Sequence, residues 1–171
     1  VMLRVEGPAS GAALAAKARL GNAAEAALSG SISADARGAG FARLSGHVAA
    51  SPLLPAPLAA ALARLEFSLD AARDRAGLIH LRAVTAKAPL GEATLAGRLD
   101  PKREEAALHG TITLGASRML AAHVPEELAW EAATARFRLD GKLMTPHVAL
   151  DADMKGISSS IAELGAALGA T

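Results

Sequence analysis

The segment Leu28-Ser29-Gly30-Ser31-Ile32 decides the fold, because it alternates apolar residues with small polar ones around a central glycine. In a β-strand the first, third and fifth residues lie on the same face. Leucine, glycine and isoleucine therefore share one side of this strand, and two serines share the other. The pattern L-x-G-x-[ILV] recurs four more times, beginning at Leu44, Leu95, Leu108 and Leu139.

Similar alternation, bounded by Gly, Pro, Asp or Asn, covers most of the chain and predicts a mainly β, antiparallel protein. Glycine inside a strand often marks a bend or a bulge. We therefore expect the sheet to bend at the central glycine of each copy, which is Gly30, Gly46, Gly97, Gly110 or Gly141. The ten predicted strands lie near residues 2–6, 12–20, 25–34, 41–50, 64–72, 77–87, 91–100, 104–114, 133–143 and 146–154.

Two segments depart from the two-residue period and predict two short helices. Residues 57–64 begin with a proline that suits a first helical turn, and residues 117–128 begin with a serine that suits an N-cap. The tail at 157–171 is either a third helix or a linker. We therefore divide the chain into a β segment at 1–156 and this tail.

The predicted sheet is too large for its helices to cover. Ten strands of about eight residues give a sheet about 48 Å wide and about 27 Å tall, with an apolar face of about 1,300 Å². Two short helices shadow only about 300 Å² of it. Exposed apolar patches of that size are rare on monomers, so the sheet must curl, pair with further sheet, or bind an apolar ligand.

Side-chain size favours an open apolar groove over a dry interior. Aromatic residues make up 2% of the chain, and alanine, glycine and leucine would underfill the gap of about 10 Å between packed sheets. The space left is suited to an acyl chain. The residues expected to line the groove are Leu28, Ile32, Leu44, Val48, Leu65, Phe67, Leu69, Ile79, Leu81, Leu95, Leu99, Leu108, Ile112, Phe137, Leu139, Leu143, Val148 and Leu150.

Composition argues against most other function classes. The net charge of +1 is too small for a protein that coats nucleic acid, and the absence of cysteine excludes disulfides and thiol chemistry. The five histidines lie on separate predicted elements, and Asp151 and Asp153 are better explained by solvation than by a cation. We therefore expect no enzymatic activity, no metal and no cofactor.

These motifs resemble the TamB and AsmA-like families of bacterial envelope proteins. The resemblance rests on the L-x-G-x-[ILV] strands, on charged or Asp-Pro turns, and on leucine-proline interruptions at 52–55 and 123–128. It covers residues 3–156 and implies an elongated, strongly bent antiparallel sheet, called a β-taco, with an apolar groove on its concave side. The chain, which begins at Val1, is then expected to be a fragment of a longer protein.

The resemblance also implies a function. Proteins of this kind are anchored in the inner membrane and reach through the periplasm towards an outer-membrane barrel protein of the TamA type, in the translocation and assembly module. They are associated with outer-membrane protein assembly, with secretion and with phospholipid transfer. Our hypothesis is a non-enzymatic groove segment for phospholipid acyl chains. The alternative is a structural β-sandwich or adhesin-like stalk with a closed, dry core and no cargo.

Overall fold

The computed structural model describes residues 1–8, 10–21, 24–49, 63–120 and 128–159. Its main feature is one open antiparallel sheet of ten strands, in which every strand pairs with its neighbours in sequence order. A separate pair of very short strands forms a second sheet. In chain order the strands are β1 (Met2–Glu6), β2 (Ala12–Leu20), β3 (Ala24–Ala34), β4 (Gly40–Ala49), β5 (Leu65–Arg73), β6 (Ile79–Ala88), β7 (Gly91–Asp100), β8 (Glu105–Leu114), β9 (Leu128–Ala129), β10 (Ala132–Lys142), β11 (Thr145–Lys155) and β12 (Ser158–Ser159).

The mainly β, antiparallel prediction is confirmed, and each of the ten predicted strands appears in the large sheet within two residues of its predicted ends. Aspartates fix three turns at one end of this sheet. The Asp35 carboxylate accepts the Arg37 N–H at 2.8 Å, the Asp74 carboxylate accepts the Leu78 N–H at 3.0 Å, and Asp100 caps the β7–β8 turn in the same way. Side chains that bond their own turn in this manner stop one strand and start the next.

Within the described residues, the prediction of two short helices is not confirmed. In the second predicted segment the chain forms only a 3-10 turn at Ser117–Leu120, and Leu128–Ala129 is strand β9, which pairs with β12. The Ser117 hydroxyl accepts the Trp130 N–H at 3.1 Å, so this serine ties two segments together. Residues 57–62 of the first predicted helix, residues 121–127 of the second, and the tail from 160 onwards lie outside the described residues.

One β-bulge interrupts the register of the large sheet. It lies in β6, where the chain between Leu81 and Val84 carries one residue more than either neighbour, so the register shifts against both β5 and β7. A bulge adds an unpaired residue to one strand and increases the local twist and bend. This bulge therefore bends the sheet near its middle.

The described part of the chain has no sealed core. Its buried residues are Ala12, Gly77, Ala106 and Ser117, and no large side chain within it is fully buried. In the large sheet, substantial contacts occur between strands that are hydrogen-bonded neighbours. The sheet is therefore a single layer. Within the same residues, no helix combines the length and the hydropathy needed to cross a membrane.

Candidate functional site: the apolar face of the sheet

The strand register sorts the side chains of the large sheet into two faces. Residues that are directly paired across neighbouring strands lie on the same face. Following the pairs from edge to edge traces a central row that crosses all ten strands without a polar side chain. The central row consists of Val5, Leu14, Gly30, Leu44, Leu69, Val84, Leu95, Gly110, Phe137 and Leu150.

Two flanking rows run beside the central row on the same face. They lie two residues away along each strand, so the three rows together form a continuous apolar band. The first flanking row is Leu3, Ala16, Leu28, Gly46, Phe67, Ala86, Ala93, Ile112, Ala135 and Ala152. The second is Ala12, Ile32, Ala42, Ala71, Leu81, Gly97, Leu108, Leu139 and Val148.

Nearly all residues that the sequence placed in a groove lie on this apolar face. Val48 and Leu65 extend it at one end of the strands, and Ile79 and Leu99 extend it at the other. Leu143 is the exception, because β10 ends at Lys142 and Leu143 lies exposed in the following turn. The remaining predicted lining residues belong to the three rows, and so do four of the five repeat glycines; Gly141 follows on the same face.

Sequence reasoning missed three members of the central row. Strict alternation from Leu81 points to residues 83 and 85, but the bulge in β6 moves the apolar face to Val84. Val5 and Leu14 alternate as expected, but they lie outside the L-x-G-x-[ILV] copies that guided the prediction. Their alternation with Arg4, Ala13 and Ala15 would have been enough to find them.

Two phenylalanine rings fill the notches that glycines leave on the apolar face. Phe67 pairs directly with Gly46, and Phe137 pairs directly with Gly110. A Cβ added to Gly46 would lie 2.8 Å from the Phe67 ring, and one added to Gly110 would lie 2.6 Å from the Phe137 ring. Such aromatic–glycine pairs protect the bare backbone of a strand. These two glycines therefore serve cross-strand packing.

Gly97 differs from Gly46 and Gly110 in its backbone, which has a φ of +141°. A Cβ at this position would collide with the carbonyl oxygen of Ala107 on the neighbouring strand, as one at Gly46 or Gly110 would with that of Ala27 or Thr94. Only glycine adopts this conformation without strain. The main chains of β7 and β8 can approach each other at this point only because the side chain is absent.

Exposure on the apolar face rises from its middle to its edges. Leu44, Leu69 and Leu95 in the central row are partly buried by their neighbours in the sheet. The edge strands differ, with Leu3 68% exposed on β1 and Leu150 69% exposed on β11. Both edges therefore present exposed apolar side chains, and within the described part of the chain no further strand pairs with them.

The opposite face, which we call the polar face, carries the charges. Arg43 and Asp70 form an ion pair of 3.3 Å there, and Lys87 and Glu92 form one of 3.2 Å. Its middle row contains six hydroxyl residues on six successive strands, and the Ser68 and Thr85 hydroxyls are 2.7 Å apart. This hydroxyl row is Ser29, Ser45, Ser68, Thr85, Thr94 and Thr111.

The carboxylate of Asp74 has a shifted pKa with identifiable causes. Desolvation works to raise the pKa of Asp74, but hydrogen bonds from the Leu78 N–H and the His80 side chain outweigh it, so this pKa lies below its ordinary value. Asp74 lies in a turn and belongs to neither face. Among the residues that the structure covers, no cluster of three or more His, Asp or Glu side chains could hold a metal ion. The arrangement thus offers contact surface, with an apolar band on one face, beyond which Arg73 lies at the end of β5, and most of the charges on the other face.

Comparison with protein-family models, with curated proteins and with solved structures finds no match to this chain.

Proposed function

We propose that this chain is a non-enzymatic segment of a TamB-like envelope protein, and that its apolar face receives phospholipid acyl chains. The observation that carries the proposal is the apolar band, which crosses every strand of the large sheet without a charged or polar side chain. A sheet that faced water on both sides would have no reason to exclude polar residues from one of them.

The area of this face is far above what a monomer exposes. Ten strands of about ten residues give a face of about 1,500 Å², whereas the largest apolar patch on a typical monomer is about 300–600 Å². Within the described residues, no second layer covers it. An apolar occupant is therefore needed, and each CH2 group kept from water contributes about 0.8 kcal/mol.

The shape proposed for the working protein is a strongly bent β-taco with the apolar face on the inside. Two features support it. The bulge in β6 is a device that bends a sheet, and Gly30, Gly97 and Gly141 all have positive φ angles on the apolar side. Bending brings β1 and β11 nearer to each other and turns the flat band into a groove.

The edges support the idea of a segment within a longer sheet. Apolar residues on β1 and β11 are far more exposed than those in the interior, and exposed strand edges readily pair with further strands. By the resemblance to TamB and AsmA-like proteins, we place this segment in the periplasmic portion of an inner-membrane-anchored protein. Its partner, through the full-length protein, would be an outer-membrane barrel of the TamA type, with a role in outer-membrane protein assembly and secretion.

The structural alternative, a stalk with a dry core, requires a second layer from another molecule. A second copy could supply it by packing its own apolar face against this one. Such a dimer would fill the band and leave no space for lipid. The two functions therefore differ in what contacts the phenylalanine rings of the apolar face.

Photocrosslinking tests this directly, because the chain has phenylalanines on both faces. Benzoylphenylalanine replaces Phe67 or Phe137 on the apolar face, or Phe41 on the polar face as the matched control. The purified protein is incubated with phosphatidylethanolamine and phosphatidylglycerol vesicles and irradiated, and adducts are identified by mass spectrometry. We expect lipid adducts at Phe67 and Phe137 and none at Phe41. Protein–protein adducts alone at Phe67 and Phe137 would support the stalk, and equal lipid adducts at all three sites would contradict the groove.

A further inference from the structure

Hollows lie on the polar face, away from the apolar band. One of them has a volume of about 390 Å³ and spans β6, β7, β8 and β10. The polar-face residues that line this hollow include Thr85, Thr94, Thr111, Arg82, Arg136 and His109. We call it the threonine hollow. The other residues around it, such as Leu95 and Phe137, belong to the apolar face and border it through their main chain.

The floor of the threonine hollow is part of the hydroxyl row. Thr85, Thr94 and Thr111 are paired in register on three successive strands, about 4.8 Å apart. The Thr85 hydroxyl already interacts with Ser68. A hydroxyl can donate one hydrogen bond and accept others, so this floor suits a ligand rich in oxygen.

The walls of the threonine hollow are cationic. Arg82 stands on β6 and Arg136 on β10, at opposite ends of a span of about 14 Å, and His109 lies between them on β8. Among the residues that the structure describes, no carboxylate lines this hollow. The neighbouring hollows differ, because Glu66 lines one of about 510 Å³, and Asp100, Glu105 and Asp140 line another of about 380 Å³.

One carboxylate partly neutralises the two arginines. Asp70 forms ion pairs with Arg82 at 3.8 Å and with Arg43 at 3.3 Å, so its single charge is shared between two guanidinium groups. Asp151 is the register partner of Arg136 across β11, yet within the described residues Arg136 has no ion pair of 4.0 Å or less. The threonine hollow therefore has two guanidinium groups beside it, and the one carboxylate within 4.0 Å of either is shared with Arg43.

We propose that the threonine hollow binds the phosphate group of a phosphomonoester or phosphodiester. The guanidinium forks of Arg82 and Arg136 contact phosphate oxygens from opposite ends, and the threonine hydroxyls donate to the oxygens that remain. His109 adds a ring N–H from the third side. Because this site lies on the face opposite the apolar band, it goes beyond the lipid function proposed above. Phosphate binding here and lipid binding on the apolar face can therefore be tested separately.

Arg136→Gln tests the site, and Arg138→Gln is the matched control. Arg138 lies two residues away on the same strand and the same face, is paired with Asp140 at 2.6 Å, and does not line the hollow. Inorganic phosphate is titrated into the purified protein at constant ionic strength, and binding is followed by NMR shifts of the Thr94 and Thr111 amides. We expect saturable binding that Arg136→Gln weakens about tenfold, as for the loss of one charge-assisted contact, and that Arg138→Gln changes less than about twofold.

Two further measurements distinguish a soluble phosphoester from a lipid headgroup as the source of the phosphate. Saturation by glycerol 3-phosphate without cosedimentation with phosphatidylglycerol vesicles assigns the site to soluble phosphoesters. Cosedimentation that Arg136→Gln abolishes and Arg138→Gln retains assigns it to a lipid headgroup. Far-UV circular dichroism checks that each variant is folded. Absence of saturable phosphate binding, or equal weakening by the two substitutions, would overturn the proposal, and neither result would affect lipid adducts on the apolar face.

Discussion

Replacing Leu44 with lysine tests whether the apolar face is open, because this leucine lies in the central row directly opposite Leu69 on β5. Full burial of a leucine side chain contributes about 1.5–3 kcal/mol, and Leu44 is only partly buried. Lysine keeps part of the apolar contact through its methylene groups and can extend its ammonium group into water. On an open face we therefore expect the free energy of unfolding to fall by about 1 kcal/mol. Inside a closed core, an unpaired charge would cost about 3–5 kcal/mol.

Urea denaturation followed by two probes measures this difference. Trp130, the single tryptophan, reports on one end of the sheet, and far-UV circular dichroism reports on all strands. The control is Ser45→Lys, since Ser45 is the next residue on the same strand and points to the polar face. We expect that substitution to change the free energy of unfolding by less than about 0.5 kcal/mol. A loss above about 3 kcal/mol for Leu44→Lys, with Ser45→Lys neutral, would refute the open face.

Three further substitutions follow from the packing and the turns. Phe137→Ala should lower the free energy of unfolding by about 2 kcal/mol, because it removes the ring that covers Gly110, and an unchanged urea midpoint would contradict that role. Gly97→Ala should lower the free energy of unfolding by at least about 2 kcal/mol through backbone strain. The control is Gly11→Ala, where an added Cβ meets nothing within 4 Å and the urea midpoint should change little. Equal effects of the two substitutions would argue against strain at Gly97. The pKa of Asp74 is lowered in the folded state, so the ionised carboxylate stabilises the fold above pH about 4, and this stabilisation is lost as the pH falls through that pKa. In urea titrations, the difference in the free energy of unfolding between wild type and Asp74→Asn should therefore shrink below pH about 4. A difference that stays constant with pH would contradict the lowered pKa.

The large sheet was predictable because each strand carries its own evidence. In segments such as Leu28 to Ile32, apolar and polar residues alternate and turn residues follow within a few positions. Face membership follows from the same alternation, which is why the expected lining residues other than Leu143 share one face. Neither prediction needed knowledge of which strands pair.

Features that depend on how the strands pair could not be predicted from the sequence. The bulge that brings Val84 into the central row becomes visible only when β6 is aligned with β7. Strand β9 has two residues and pairs with a segment about thirty residues later, so no local period could reveal it, and helix propensity suggested a helix there. The threonine hollow likewise depends on register, since Thr85, Thr94 and Thr111 are unremarkable until they are paired.

Every strand of the large sheet pairs with the strand of that sheet that follows it along the chain, and this order has a consequence for how the molecule forms and changes. Seven of the nine connections between these strands have five residues or fewer, and closing such short loops favours fast folding. Each hairpin can add to the growing edge as soon as it has been synthesised. Loss or duplication of one hairpin would shorten or lengthen the apolar band without altering any other pairing, so the reach of such a protein is open to change in steps of two strands.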